Sequence, residues 1–217
     1  LDEITKDHSR SYGVADLSSI THTPLMLSFD DGGKSSVFIA EELSRRDLVG
    51  HFFVTTSMIG SPTFLKSSEI TRIHQLGHIV GTHSHTHPNI FRDLSYQQKV
   101  QEWATSKSVL EEILSAKVDT ASVPGGDMDD ETVQAAAEVG IQYLFTSEPT
   151  KKIKRQFGIH LIGRVCPKSD TSARTIAEWS KGRGFVAAQC VRSGKNFVRT
   201  LLKPLYRAYV RKLSRAV

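Results

Sequence analysis

Only two cysteines, Cys166 and Cys190, occur in the 217 residues, and no apolar run approaches the ~20 residues that a helix needs to cross a bilayer. Two cysteines exclude a disulfide-stapled miniature fold, and their separation does not suit a cysteine-held metal. Whether the two pair is left open by the sequence. No internal repeat or low-complexity tract appears. Asp and Glu are missing altogether from residues 185–217, which carry eight Lys and Arg. That stretch is therefore +8 within a chain of net charge +5, leaving residues 1–184 at −3. The basic character belongs to the tail and not to the body. The sequence opens on Leu1 in place of methionine, so a missing signal peptide carries little weight. A cytoplasmic or membrane-peripheral location is the expectation, with an extracytoplasmic one left open.

What is present suits one globular domain with a short appendage: 39% hydrophobic and 24% charged residues, at a length able to bury a substantial core. The domain is expected over 24–184, after a leader at 1–23 and before a helical tail at 185–217. Pro24–Phe29 reads as a buried strand, Ser35–Arg46 as a helix and His51–Thr56 as a β-branched and aromatic strand. A helix capped by Ser67 and ended by Gly77 precedes a short strand at His78–Gly81. Ser95–Lys117 opens in capping-box form and is the longest helical pattern. Strands at Val118–Pro124 and Ile141–Thr146 flank a helix at Asp130–Val139 that Gly140 stops. Residues 147–160 read as a loop, Leu161–Val165 as a last strand and Thr171–Ser180 as a last helix. The βαβα order predicts a mostly parallel sheet with helices outside, open or closed into a barrel.

Two clusters fall where a strand gives way to a loop: Asp30-Asp31, and His83, His85 and His87 before Pro88. Alone, Asp-Asp-Gly-Gly is a common turn and three histidines a solvated polar loop. Together, at two strand ends, they place a carboxylate and two imidazoles where an α/β barrel builds its sites. That set makes a three-ligand metal site with positions left open, beside a second carboxylate able to act on whatever the metal holds. His51 and His74 read as partly buried structural histidines. Phe52, Phe53, Trp103 and Trp179 read as packing aromatics.

Leu27-Ser-Phe-Asp-Asp-Gly-Gly33 resembles the Thr-Phe-Asp-Asp-Gly motif of the polysaccharide deacetylases (carbohydrate esterase family four, the nodulation-type chitooligosaccharide deacetylase domain). Gly77-His-Ile-Val-Gly-Thr-His-Ser-His-Thr-His-Pro88 resembles the family's second motif, and Val123-Pro-Gly-Gly126 a variant of the third. The resemblance runs over 24–146 and implies a deformed, incomplete (β/α) barrel that removes N-linked acetyl groups from amino sugars of a poly- or oligosaccharide. It implies Asp30 as general base, and Asp31, His83 and His87 as ligands of a divalent metal. Zinc comes first among the metals, with cobalt, nickel and manganese as alternatives. Gly125, after Pro124, would supply a backbone N–H to the oxyanion. His85 falls at the variable position of the second motif, which suits a loop role.

Three departures stand out. Ser122 occupies the place of the arginine that tethers the base in many members. Gly125 replaces an aromatic wall of the pocket, so a wider cleft is expected. The one histidine with Leu two residues before it is His78, which belongs to the second motif, so the late Leu-x-His motif that protonates the leaving amine has no match. His160 is then the candidate acid, and Arg164 an alternative source of positive charge that the sequence does not place. The partner expected first is an N-acetylated glycan. Deacylation of a non-sugar amide, and a degenerate glycan- or membrane-binding domain, remain the competing functions.

In the tail, Phe197, Leu201, Leu202, Leu205, Tyr209 and Leu213 recur at helical spacing among basic residues, with Pro204 as a kink. Packing on the barrel and attachment to an anionic membrane surface are both compatible with that pattern. Nucleic acid is not expected as a partner, because no binding module accompanies the charge.

Overall fold

The structure is a computed structural model that describes residues 1–201 and 206. Seven strands form one sheet in the order β1-β2-β3-β4-β5-β7-β6: β1 (Leu27–Phe29), β2 (Gly50–Val54), β3 (Ile79–Thr82), β4 (Thr120–Ser122), β5 (Tyr143–Phe145), β6 (Lys154–Gln156) and β7 (Ile159–Ile162). Every pair is parallel except β6 with β7. The sheet curls into a half-barrel and leaves β1 as a free edge, which is the deformed (β/α) barrel that the resemblance implies. The antiparallel β6–β7 hairpin lies partly within the segment expected to be a loop. Its strand residues Lys154-Arg-Gln156 are polar, because β6 is the opposite edge and buries little.

Helices α2 (Ser35–Ser44), α3 (Ser67–Gln75), α4 (Tyr96–Leu114) and α5 (Asp130–Glu138) follow successive strands. Their apolar faces bury one side of the sheet. Leu43, Ile70, Ile73 and Leu110 close over Phe52, Val54 and Val80, while Trp103, Val133 and Ala136 close over Ala121 and Leu144. Strand side chains alternate between faces, so Phe53, Phe145 and Ile162 turn inward, where Val14, Leu17 and Met26 meet them. Within residues 1–23, a short helix α1 (Asp2–Thr5) buries Ile4, and the Ser11 hydroxyl bonds the backbone of Val49 at 2.7 Å.

Local chemistry sets the helix ends. Ser95 and Gln98 cap α4 reciprocally, and the Asp129 carboxylate accepts from Thr132 N at 2.9 Å to open α5. Lys66, not Ser67, is the N-cap position of α3, because Glu69 reaches back to accept from Lys66 N at 2.7 Å. Gly77 (φ 86°) and Gly140 (φ 85°) take the left-handed conformation that ends α3 and α5.

Among the described residues, the last helices are α6 (Ala173–Ser180) and α7 (Phe185–Leu201). Pro204, Leu202, Leu205, Tyr209 and Leu213 lie outside the described residues. Cys166 and Cys190 are both free and exposed, so no disulfide joins them. Among the described residues no helix is long and apolar enough to cross a membrane.

Candidate metal and active site

Asp30 and Asp31 sit directly past β1, and His83 directly past β3, at the carboxyl edge of the parallel strands. The backbone turns sharply there. Asp31 (φ 72°), Ser84 (φ 65°) and His87 (φ 53°) are non-glycine residues in the left-handed region. Such conformations cost on the order of 1–3 kcal/mol each and persist where surrounding bonds over-determine them. Here Thr55 N donates to Asp31 O at 3.2 Å, and His87 N to Ser84 Oγ at 3.1 Å. Glu102 on α4 clamps the histidine loop, its carboxylate accepting from His85 N (2.9 Å), Thr86 N (2.8 Å) and Thr86 Oγ1 (2.6 Å). His85 itself turns to Thr56 Oγ1 at 2.9 Å, consistent with a loop role.

One ligand atom each from Asp31, His83 and His87 lies within 4.8 Å of the others. The Asp31 Oδ1 is 3.3 Å from His83 Nε2 and 3.5 Å from His87 Nε2. Those lengths suit a shared cation, since the edge of a tetrahedron with metal–ligand bonds of about 2.0–2.1 Å is about 3.3–3.4 Å. The tautomer fits as well. His83 Nδ1 faces the carbonyl of Ser122 at 2.9 Å, and a carbonyl only accepts, so Nδ1 carries the proton and Nε2 offers its lone pair. The residues present therefore fit a divalent metal.

Asp30 is held differently. Arg164, just past β7, donates through Nη1 to Oδ1 (2.8 Å) and through Nη2 to Oδ2 (3.0 Å). Ser122 Oγ reaches Oδ2 at 3.2 Å and accepts from Arg164 Nη2 at 2.7 Å. Ser122 and Arg164 together thus hold the Asp30 carboxylate. Burial pushes the Asp30 carboxyl up, but the charges of Arg164 and His83 outweigh it and hold the group below the usual range. For Asp31 a hydrogen bond from His83, when that ring is protonated on Nε2 as well, dominates and also lowers it, against burial; a metal would take the place of that proton. Burial, and then the neighbouring His83, press His87 toward its neutral, ligating form.

The third-motif turn lies beside the histidine loop. Pro124 is buried, and Gly125 (φ 61°) has nothing nearer its missing Cβ than Asn89 O at 4.0 Å. Open space therefore stands beside Gly125. His160 is not brought to the cluster. It stacks on Tyr143 (5.2 Å between ring centroids), four residues before Arg164 on the same strand run, or ~13 Å along it. Sequence reasoning did not single out Glu102, whose helical position carries no signal of its own. It named Arg164 without placing it, and the only pointer was a basic residue just past a strand.

The Polysaccharide deacetylase family model matches residues 20–144, and the chain belongs to that family. A curated relative, YxkH of Bacillus subtilis (strain 168), described as a candidate polysaccharide deacetylase, is 26% identical over 152 residues, or 69% of this chain and 54% of its own length. The chain thus spans about half the length of that relative. Among solved structures, the Streptococcus pyogenes deacetylase PplD in complex with acetate superposes with a TM-score of 0.66 at 18% identity, covering 81% of this chain and 82% of that one. IcaB from Ammonifex degensii gives 0.68 at 20% identity, covering 83% and 85%. Both likenesses are of fold.

Proposed function

We propose that this chain is a metal-dependent N-deacetylase acting on N-acetylated amino sugars of a poly- or oligosaccharide. The observation that carries the reading is the convergence of Asp31, His83 and His87 at metal-sharing distances, with a separately tethered carboxylate beside them. A divalent ion held by those three, zinc first among candidates, would supply a water of lowered pKa and a polarised amide carbonyl. Asp30 takes the proton from that water. Its Oδ2 lies 3.9 Å from His83 Nε2, and Arg164 keeps it ionised and aimed. The developing oxyanion is met by the backbone N–H of Gly125. The leaving amine needs a proton, and the one Asp30 has just taken is in place to supply it. His160, on the sheet, is not.

The open space at Gly125 favours a second substrate class at the same residues, a bulkier or non-sugar amide. We also infer that residues 185–217 attach to an anionic membrane surface, supported by their +8 charge and by Val186 and Leu201, exposed on α7.

The test is acetate release from N-acetylglucosamine oligomers by the metal-loaded protein. Activity is expected in wild type and lost in Asp30→Asn, with metal retained there but lost in Asp31→Ala. A wild type that binds metal and releases no acetate from any N-acetylated glycan would sink the reading.

A further inference from the structure

Among the described residues, the basic segment after residue 184 meets the third-motif turn through Arg192. The Arg192 side chain on α7 is only 13% exposed, and its Nε lies 2.8 Å from Glu148 Oε1 in the segment after β5. Its Nη2 donates to the backbone carbonyl of Gly126. Gly125 and Gly126 both have positive φ (61° and 63°), and two successive glycines make an intrinsically loose turn. Bulk cannot stiffen it, since a Cβ on Gly126 would lie 2.2 Å from Ser147 Oγ. On the far side of the turn, Arg92 pairs with the buried Asp127 at 3.4 Å. The second partner of Arg192 leads back to the base: the Glu148 carbonyl accepts from Arg164 N at 3.0 Å, and the Arg164 guanidinium holds Asp30. A guanidinium withdrawn from water is costly unless its partners are well placed, so this docking has a defined geometry. Between α7 and the strand-end loops lies a cavity of about 490 Å³, lined by Ser147, Arg164, Cys166, Trp179, Val191 and Arg192.

We propose that Arg192 is a positioning residue for the reaction. By holding Gly126 O it fixes the turn that presents the Gly125 N–H. The inference rests on the deacetylase reading for its kinetic consequence, but not for its structural one.

The experiment compares full-length wild type, Arg192→Gln, Arg192→Lys and Glu148→Gln, each metal-loaded, by steady-state kinetics and by amide hydrogen exchange over residues 123–128. Arg192→Gln is expected to lower kcat roughly ten- to a hundredfold with a smaller change in KM. It should also speed exchange at the turn at unchanged metal content and melting temperature. Arg192→Lys, which keeps a donor, should recover part of kcat, and Glu148→Gln should fall between. Wild-type kcat and exchange in Arg192→Gln would overturn the proposal. So would a loss of kcat equal in Lys and Gln and explained by lost metal or lost fold. If wild type itself releases no acetate, the deacetylase reading falls, and faster exchange in Arg192→Gln still decides whether the turn is held from α7.

Discussion

Arg164 illustrates how one side chain sets the state of another. Its fork matches both oxygens of Asp30, a geometry that a lysine cannot reproduce. Arg164→Met should lower kcat roughly ten- to a hundredfold with metal still bound, and Arg164→Lys should restore only part of it; single-turnover kinetics with metal analysis checks both. A second residue acts on stability alone. His51 is fully buried, its Nδ1 directed at Leu27 O at 3.1 Å, and burial pushes it down to about 4. Between that value and the ordinary 6.5, the unfolded chain binds a proton that the folded one refuses. Stability therefore rises with pH across this window and falls as the pH drops through it. The His51 contribution should amount to about 3 kcal/mol over the full window, most of it lost between pH 7 and 4.5. Urea unfolding at pH 7, 5.5 and 4.5 should show a shallower decline in His51→Gln than in wild type.

At the scale of elements, α4 is more than a layer of the fold. Its inner face buries Trp103 and Leu110, while Glu102 reaches over the sheet edge to the amides of His85 and Thr86. Glu102→Ala leaves the helix its apolar face and frees the loop that carries His87. Zinc affinity should fall roughly 10- to 100-fold, as for other losses of groups that orient metal ligands. Competition with a chromophoric chelator measures this, and an unchanged affinity would show the loop to be self-supporting. The parallel strands were legible as short apolar runs, though with ends misplaced by one to three residues (the last runs Ile159–Ile162 where 161–165 was expected), and the ends of α3 and α5 from the glycines that stop them. The antiparallel β6 was not, because an edge strand of Lys, Arg and Gln buries too little to leave a hydrophobic pattern.

Across the whole molecule, charge is segregated: a body at −3 joined to a segment at +8. If that segment meets an anionic bilayer, the chain should co-sediment with vesicles containing phosphatidylserine and not with purely zwitterionic ones. Binding should weaken as salt shortens the Debye length, and a chain ending at residue 194 should lose it. Equal binding to both vesicle types would refute an electrostatic attachment.

The alternation of apolar runs and helical stripes by itself determined the parallel α/β architecture, because burial periodicity is local. The order of the motifs by itself determined the family and pointed to Asp30, Asp31, His83 and His87 as the candidate site. Tertiary structure decided what stands around them: that Arg164, 134 positions along the chain, tethers Asp30, that Glu102 holds the histidine loop, that His160 stays on the sheet, and that Arg192 grips the third-motif turn. Each of those depends on where separate strand ends and helices meet in space. Charge-assisted hydrogen bonds form between whatever groups the curled sheet brings within about 3 Å, and no local spacing in the chain encodes that distance.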